Sequence, residues 1–391
     1  MWLLCIIKKN RSTFILKLCR ERTVKYMNKH ITNNTETKAP RSRLQKVGTG
    51  LVKALAFLLV TILLITIGLY GVMWVLMKGP SPSAQRLFTL SVRETSAVGF
   101  LANLYLTEDE IAKIVNGDET STKGETTNAS LITITNSAQG SKPQTSPGGE
   151  LGSSEEIPTS TASASADGIK IEKIKGSTYK GVMMIVDDPS RIFVGTPGGF
   201  GADYSGISLS DMIKNNQAVA GINAGGFFDP GGGGNGGIPD GLVICNGKLM
   251  WGDKGVACSV IGFDSKGILH VGTMTAQEAL DEDIQWAVSF GPTLIVNGTP
   301  CGAMASGVNP RTAIGQRSDG AVLLLVIDGR QVDSLGATFD DVANIMLDYG
   351  AVNASNLDGG SSTLMIYKDE ILNVCASVYG PREIPTSFLI R

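Results

Sequence analysis

Asn356-Leu-Asp-Gly-Gly-Ser-Ser-Thr-Leu-Met365 ends one apolar run at Leu357, inserts an acid and two glycines, and opens a second apolar run that reaches Tyr367. Two apolar runs of strand length divided by a glycine pair read as strand, turn, strand. Glycine lets the chain turn tightly or bring its backbone close to a ligand. An acid where a rigid strand stops, followed by three hydroxyls, has the chemistry of a general base, a nucleophile or a metal ligand. An ordinary turn has the same composition, so the meaning of the decapeptide depends on its surroundings.

Those surroundings are strand-rich. Alternating and β-branched runs predict strands near 169–174, 181–186, 191–194, 219–222, 242–245, 260–264, 294–296, 321–327 and 364–367. Helical spacing is rarer. It appears at 209–215, where Ser208 is placed to cap, at 275–280, and most clearly at 339–349. There Thr338 caps, Asp341 follows three residues on, Val342, Ile345, Met346 and Tyr349 share a face, and Gly350 supplies the C′ residue. Strands with interspersed helices predict an α+β domain over 168–391, with mixed β-sheets and flanking helices. About 220 residues suffice for one substantial core.

Upstream, the texture changes. Residues 1–53 carry 13 Lys and Arg against 2 acids, a charge of +11; with a total of −2, the remainder carries −13. Residues 54–77 contain no charged side chain, and such a run is long enough to cross a bilayer as a helix. The expected order is a basic cytoplasmic segment at 1–50, with Met27 a second candidate initiator, then a transmembrane signal anchor at 51–78. The positive flank stays inside, which places the C-terminal bulk outside the cell. Pro80 and Pro82 end the span. A membrane-proximal helical stalk follows at 79–115, with Leu101, Leu104, Ile111, Ile114 and Val115 as its apolar stripe and Thr107 with Glu110 as a capping box. From 116 to 167 the chain is rich in Ser, Thr, Gly and Pro and reads as a linker, apart from the apolar run 131–134.

Composition excludes several chemistries. A basic head before an acidic body argues against nucleic acid as a partner, because phosphate-backbone binding needs a basic face on the folded part. With only His30 and His270, and His270 in the strand-like run 268–271, Ser-His-Asp, Cys-His and His-rich zinc sites are not expected. Catalysis must rest on carboxylates, hydroxyls, arginine and backbone amides. Cys245, Cys258, Cys301 and Cys375 fit either disulfides, with 245–258 closing a hairpin-sized loop, or buried thiols.

Three further stretches carry polar groups at strand ends. Gly221-Ile-Asn-Ala-Gly-Gly-Phe-Phe-Asp229 places Asn223, Gly225, Gly226 and Phe228 where a strand enters a glycine loop. That loop, 230–240, lacks the Gly-Lys-Ser/Thr of a phosphate-binding P-loop. Asn309-Pro-Arg-Thr-Ala-Ile-Gly315 sets Arg311 just before a strand, and Arg presents a planar fork suited to phosphate or carboxylate. Val322-Leu-Leu-Leu-Val-Ile-Asp-Gly-Arg330 ends a buried-strand pattern in Asp328. Two strand-end acids without histidine point to glycoside hydrolysis rather than acyl transfer.

Taken together, residues 168–391 resemble the phosphodiester glycosidase family. The elements carrying the resemblance are Asn-x-Gly-Gly-Phe-Phe at 223–228, Gly-Pro-x-Leu at 291–294, Asn309-Pro-Arg-Thr-Ala-Ile-Gly315, Asp328-Gly-Arg330, the capped helix from Thr338 and Asn356-Leu-Asp-Gly-Gly360. Two positions depart from the family pattern: Asp341 stands where Glu is usual, and Ser361 where a third Gly is frequent. The resemblance implies removal of a sugar, typically N-acetylglucosamine, from a sugar-1-phosphodiester on a cell-surface glycoconjugate or exopolysaccharide. The expected catalytic set is Asp358, Asp328, Arg311 and Asn223. Gly225, Gly226, Phe228, Gly359, Gly360, Ser361, Ser362 and Thr363 are the expected substrate contacts. Ca²⁺ is the divalent ion that would suit these acids, although no ligand spacing singles it out. The alternative from another class is a non-catalytic surface module that binds cell-wall or exopolysaccharide glycans. Phosphodiesterase chemistry at phosphorus, with two metals held by His and Asp, fits least.

Overall fold

A computed structural model describes residues 43–95, 98–116, 126–134, 167–302, 306–377 and 379–391. The basic head up to residue 42, and the expected linker apart from 116, 126–134 and 167, lie outside the described residues. Helix α1 (Arg43–Lys78) contains the apolar segment Val52–Lys78, with a mean hydropathy of 2.5, long and apolar enough to cross a membrane.

From Gly71 to Arg391 the chain forms one compact unit. Its first part is helical. Where the sequence reads as one interrupted stalk helix, three separate helices form: α2 (Pro82–Arg93), α3 (Phe100–Asn103) and α4 (Glu108–Asn116). Ser81 caps α2 through its side chain to the Ala84 N–H, and Thr107 and Glu110 exchange the two reciprocal bonds of a capping box. Met77, Val92, Ala102, Leu106 and Ile111 bury one another between these helices.

The remainder is three antiparallel sheets. The largest runs in the order Ile169–Lys175, Lys180–Val186, Val322–Ile327, Arg311–Arg317, Ala351–Leu357, Thr293–Val296, Thr299–Pro300. The second runs Glu370–Ile371, Met365–Tyr367, Ala220–Asn223, Ser387–Ile390, Ile192–Gly195, and the third Lys248–Trp251, Val243–Cys245, Ile284–Ser289, Ala257–Asp264, Leu269–Thr275. The period of two decides which face meets what. Val322, Leu324 and Val326 point into a core shared by all three sheets, with Ile222, Val243, Ile261, Leu357 and Phe388. Leu323, Leu325 and Ile327 point the other way and are covered by the helix Phe339–Asp348. A strand buried on both faces is why 321–327 reads as an unbroken apolar run.

Each sheet carries one helix on its outer face. Helix α5 (Leu209–Asn215) buries Leu209, Met212 and Ile213 against the second sheet, and α6 (Ala276–Asp281) buries Ala276 and Ala279 against the third. Helix α7 (Phe339–Asp348) covers the first sheet. Its cap survives the departure at Asp341: the shorter carboxylate still accepts from the Thr338 N–H at 2.8 Å and from its hydroxyl at 2.7 Å. Gly350 follows with φ +83°, the left-handed backbone of a C′ residue.

One stretch of the expected linker is docked. The Thr133 N–H donates to the Ser318 carbonyl, the Asn128 N–H to Asn297 Oδ1, and Thr127 Oγ1 accepts from the Val271 N–H. Ile132 is buried. The apolar run at 131–134 is what pays the ordering entropy that the polar residues around it cannot.

Candidate active site

Register brings the functional strand ends together. In the largest sheet Arg311 lies opposite Ile327 and Thr312 opposite Leu357, so Arg311, Asp328 and Asp358 emerge at one end of three adjacent strands. Asn223, at the end of its strand in the second sheet, lies opposite Ser387. Around this end opens a cavity of about 830 Å³, the size of small-ligand sites generally.

Asp358 lies in the cavity wall, and its main chain is fixed on both sides. The Asp358 N–H donates to the Ala224 carbonyl at 2.9 Å, and its own carbonyl accepts from Asn223 Nδ2. Burial pushes the carboxyl up to about 7, against the pull of a Ser362 hydrogen bond and the Arg382 charge; Asp229 and Asp240 add to the rise. Asp229 lines the same cavity, and its carboxyl is shifted the opposite way. Arg382 grips it with two bonds, at 2.6 and 2.9 Å, and the Gly234 N–H adds a third, holding this carboxyl below the usual range. The same pair fastens the glycine loop, because Arg382 also donates to the Gly234 carbonyl.

Arg311 and Arg330 line the cavity and differ in their partners. Arg311 is buried. It donates through Nε to the Ala337 carbonyl, and through Nη2 to the Gly307 carbonyl and to Glu94 Oε2 at 2.7 Å; its guanidinium lies 4.1 Å from the Phe339 ring centroid. Arg330 is exposed, with φ +60°, and donates to two neutral acceptors, Thr95 Oγ1 at 2.9 Å and Asn309 Oδ1 at 3.3 Å. Gly360, φ +58°, makes room for it: a Cβ there would lie 3.3 Å from Arg330 Nη2.

Asn356, inside the opening motif, is buried in the cavity wall with its Nδ2 bound to the Gly291 carbonyl. Its Oδ1 is buried without a hydrogen-bond partner. A buried acceptor left empty is costly and marks where a donor from a ligand would bind.

The sequence-derived residues therefore divide. Arg311, Asp358, Gly359, Gly360, Ser361 and Ser362 share the cavity. Asp328 and Asn223 stand outside its lining. The Asp328 carboxylate accepts from the Val374 N–H and its carbonyl from Ser334 Oγ, and burial raises its pKa. Asn223 Oδ1 accepts from Thr312 Oγ1 and from the Leu364 N–H, so all its bonds tie the protein to itself. Gly225, Gly226 and Thr363 are buried outside the lining, and Phe228 is exposed there. Gly226 lets Phe290 into the cavity wall, since a Cβ would lie 2.6 Å from that ring. The Gly360 N–H, which the motif offers to an anion, is bonded to the Pro310 carbonyl.

Asp229, Arg330, Asn356 and Arg382 come to notice only in the structure. All but Arg382 lie inside quoted motifs, and the signal for Asp229 was an acid closing a strand-to-glycine-loop turn. Glu94 comes from the stalk and had no sequence signal. Among the described residues no group of three or more His, Cys, Asp and Glu side chains is placed to hold a metal ion. Cys245, Cys258 and Cys375 carry no disulfide.

The family model for phosphodiester glycosidases matches residues 216–391. The chain is 29% identical over 200 residues to the SPbeta prophage-derived uncharacterized protein YomE of Bacillus subtilis, covering 48% of this chain and 29% of that one. It is 25% identical over 221 residues to the N-acetylglucosamine-1-phosphodiester alpha-N-acetylglucosaminidase of Mus musculus, covering 50% and 41%. It thus spans less than half the length of these curated relatives. The zebrafish N-acetylglucosamine-1-phosphodiester alpha-N-acetylglucosaminidase catalytic domain, solved auto-inhibited by its pro-peptide, superposes with a TM-score of 0.48 at 23% identity, over 57% of this chain and 82% of that one.

Proposed function

Residues 216–391 belong to the phosphodiester glycosidase family, and from that premise we propose that the chain hydrolyses a sugar-1-phosphodiester such as an N-acetylglucosamine-1-phosphodiester. The observation that carries this reading is a pair of carboxylates in one arginine-lined cavity with contrasting surroundings: Asp358 is pushed up to about 7 by burial, and Asp229 is gripped by Arg382 and held below the usual range. Two acids whose environments drive their pKa values apart are the pattern by which glycosidases divide their roles.

The leaving group is a phosphomonoester, which departs without prior protonation, so Asp358 serves as base. It takes a proton from the water that attacks the anomeric carbon. The bond from that carbon to the phosphate oxygen breaks, and the phosphomonoester leaves with the electron pair. Asp229 stays negative and stabilises the positive charge that builds on the sugar ring. Arg330 and Ser361 hold the phosphate oxygens. The empty Oδ1 of Asn356 accepts from a sugar hydroxyl or an acetamido N–H. Asn223 positions Asp358 through its carbonyl, and Asp328 holds the chain at Val374.

The +11 charge before the span and the acidic domain after it support an outward-facing catalytic unit, acting on a cell-surface glycoconjugate or polymer. A glycan-binding module has no need of a carboxyl poised near neutrality. The test is release of free sugar by the detergent-solubilised full chain from N-acetylglucosamine-1-phosphodiester substrates. Wild type should turn over, and Asp358→Asn should lose about 10³-fold or more in kcat. A wild-type protein that binds such substrates and releases no sugar would instead favour the binding module.

A further inference from the structure

The stalk helix α2 ends inside the cavity. Glu94, its C-cap, places one carboxylate on three donors: the Gly307 N–H at 2.7 Å, Asn309 Nδ2 at 3.0 Å and Arg311 Nη2 at 2.7 Å. One turn earlier, Ser91 Oγ accepts from the Val308 N–H at 3.0 Å. The contact is sterically specific as well. A Cβ at Gly307 would lie 2.1 Å from the Ser91 backbone nitrogen, so helix and turn approach as closely as only glycine allows. Thr95 then meets Arg330. Glu94 and Thr95 therefore line the cavity, although more than 200 positions separate them from Arg311 and Arg330.

The charges in this corner are few. Arg311 and Arg330 bring two positive charges and Glu94 removes one; the other arginine of the cavity, Arg382, is neutralised by Asp229. Glu94 also selects which arginine remains, because it bonds to buried Arg311 and leaves Arg330 with neutral partners. Asp341 also acts on Arg311 from helix α7, and Arg330 is left as the guanidinium of this corner with neutral hydrogen-bond partners, exposed to the cavity. A phosphodiester has one negative charge at neutral pH. The phosphomonoester released by its hydrolysis has nearly two.

We propose that Glu94 is a specificity-determining residue of the phosphate subsite: by neutralising Arg311 it matches the site to a phosphodiester monoanion and against the phosphomonoester dianion that hydrolysis produces. This rests on the assignment of the cavity to sugar-1-phosphodiesters. Its consequence is release of product. With Glu94 uncharged, Arg311 and Arg330 form a doubly positive clamp that retains the monoester.

The test uses inorganic phosphate, mostly a dianion above neutral pH, with the full chain. Glu94→Gln keeps the shape and removes the charge. Gly307→Ala keeps every charge and forces helix and turn apart, withdrawing Glu94 from Arg311. Both variants should bind phosphate roughly tenfold more tightly or better than wild type, read as the inhibition constant and as the rise in melting temperature on adding phosphate. Both should also show a lower kcat with a KM for the diester that is unchanged or lower, since slow product departure depresses both constants. A purely structural role for Glu94 would lower stability without sharpening phosphate binding. Unchanged phosphate affinity in both variants overturns the proposal, and so does higher activity in either one, which would make the helix a cover over the site. The melting-temperature arm needs no turnover. A wild type inactive on every sugar-1-phosphodiester would sink the functional reading, while phosphate binding still decides the role of Glu94.

Discussion

Burial pushes the Asp358 carboxyl up to about 7, and under the proposed mechanism two pH dependences follow from it. As a base it must be ionised, so kcat/KM should rise with pH through about 7 and level off above; a falling limb there would make Asp358 an acid instead. Stability should run the other way. The folded-state pKa lies above the ordinary value, so the folded state binds the extra proton. The unfolding free energy therefore declines as pH climbs from about 4 to about 7 and is flat beyond. Asp358→Asn removes the buried charge and should be more stable than wild type at pH 8, by on the order of 2 to 4 kcal/mol, in denaturant titrations. Equal stability at pH 8 would show the carboxylate to be well solvated. Much at this scale was legible beforehand: Arg311, Asp358 and the glycine and serine run were named from sequence and share the cavity. Asp328 had the same sequence signature as Asp358, an acid closing an apolar strand. Which of two strand ends turns inward depends on sheet order, and spacing along the chain does not carry that.

Among the elements, the glycine loop after Phe228 depends on one clip. Arg382 ties Asp229 to the Gly234 carbonyl and stacks 4.9 Å from the Phe227 ring. Arg382→Met should free the loop and release Asp229 from its depressed pKa. The expected result is a 10- to 100-fold loss in kcat, on the order of 2 kcal/mol at the transition state. Faster amide exchange at 232–237, with no change in the Val322–Ile327 strand, would locate the cause in the loop; unaltered exchange there would refute it. Helices with capping boxes were placed from sequence within a residue or two, since caps are local chemistry. The strands at Lys248–Trp251 and Ser387–Ile390 were missed, as was Ile284–Ser289. The first is half exposed, with the pattern of an edge strand, and the second packs at the end of the chain with only four residues of pattern. The docking of the stalk depends on contacts more than 200 residues away, which periodicity does not register.

For the whole molecule, the proposed function makes the stalk helices part of the active site, since Glu94 and Thr95 line the cavity. Composition changes between stalk and sheets, and Gly71–Arg391 is one compact unit. Whether that unit cleaves at the sugar or at phosphorus is decided by the bond that breaks. Hydrolysis of an N-acetylglucosamine-1-phosphodiester by the full chain in heavy-oxygen water, followed by mass spectrometry of both products, reads this directly. The account predicts the heavy oxygen at the anomeric position of the released sugar and an unlabelled phosphomonoester. Heavy oxygen in the phosphate would contradict it.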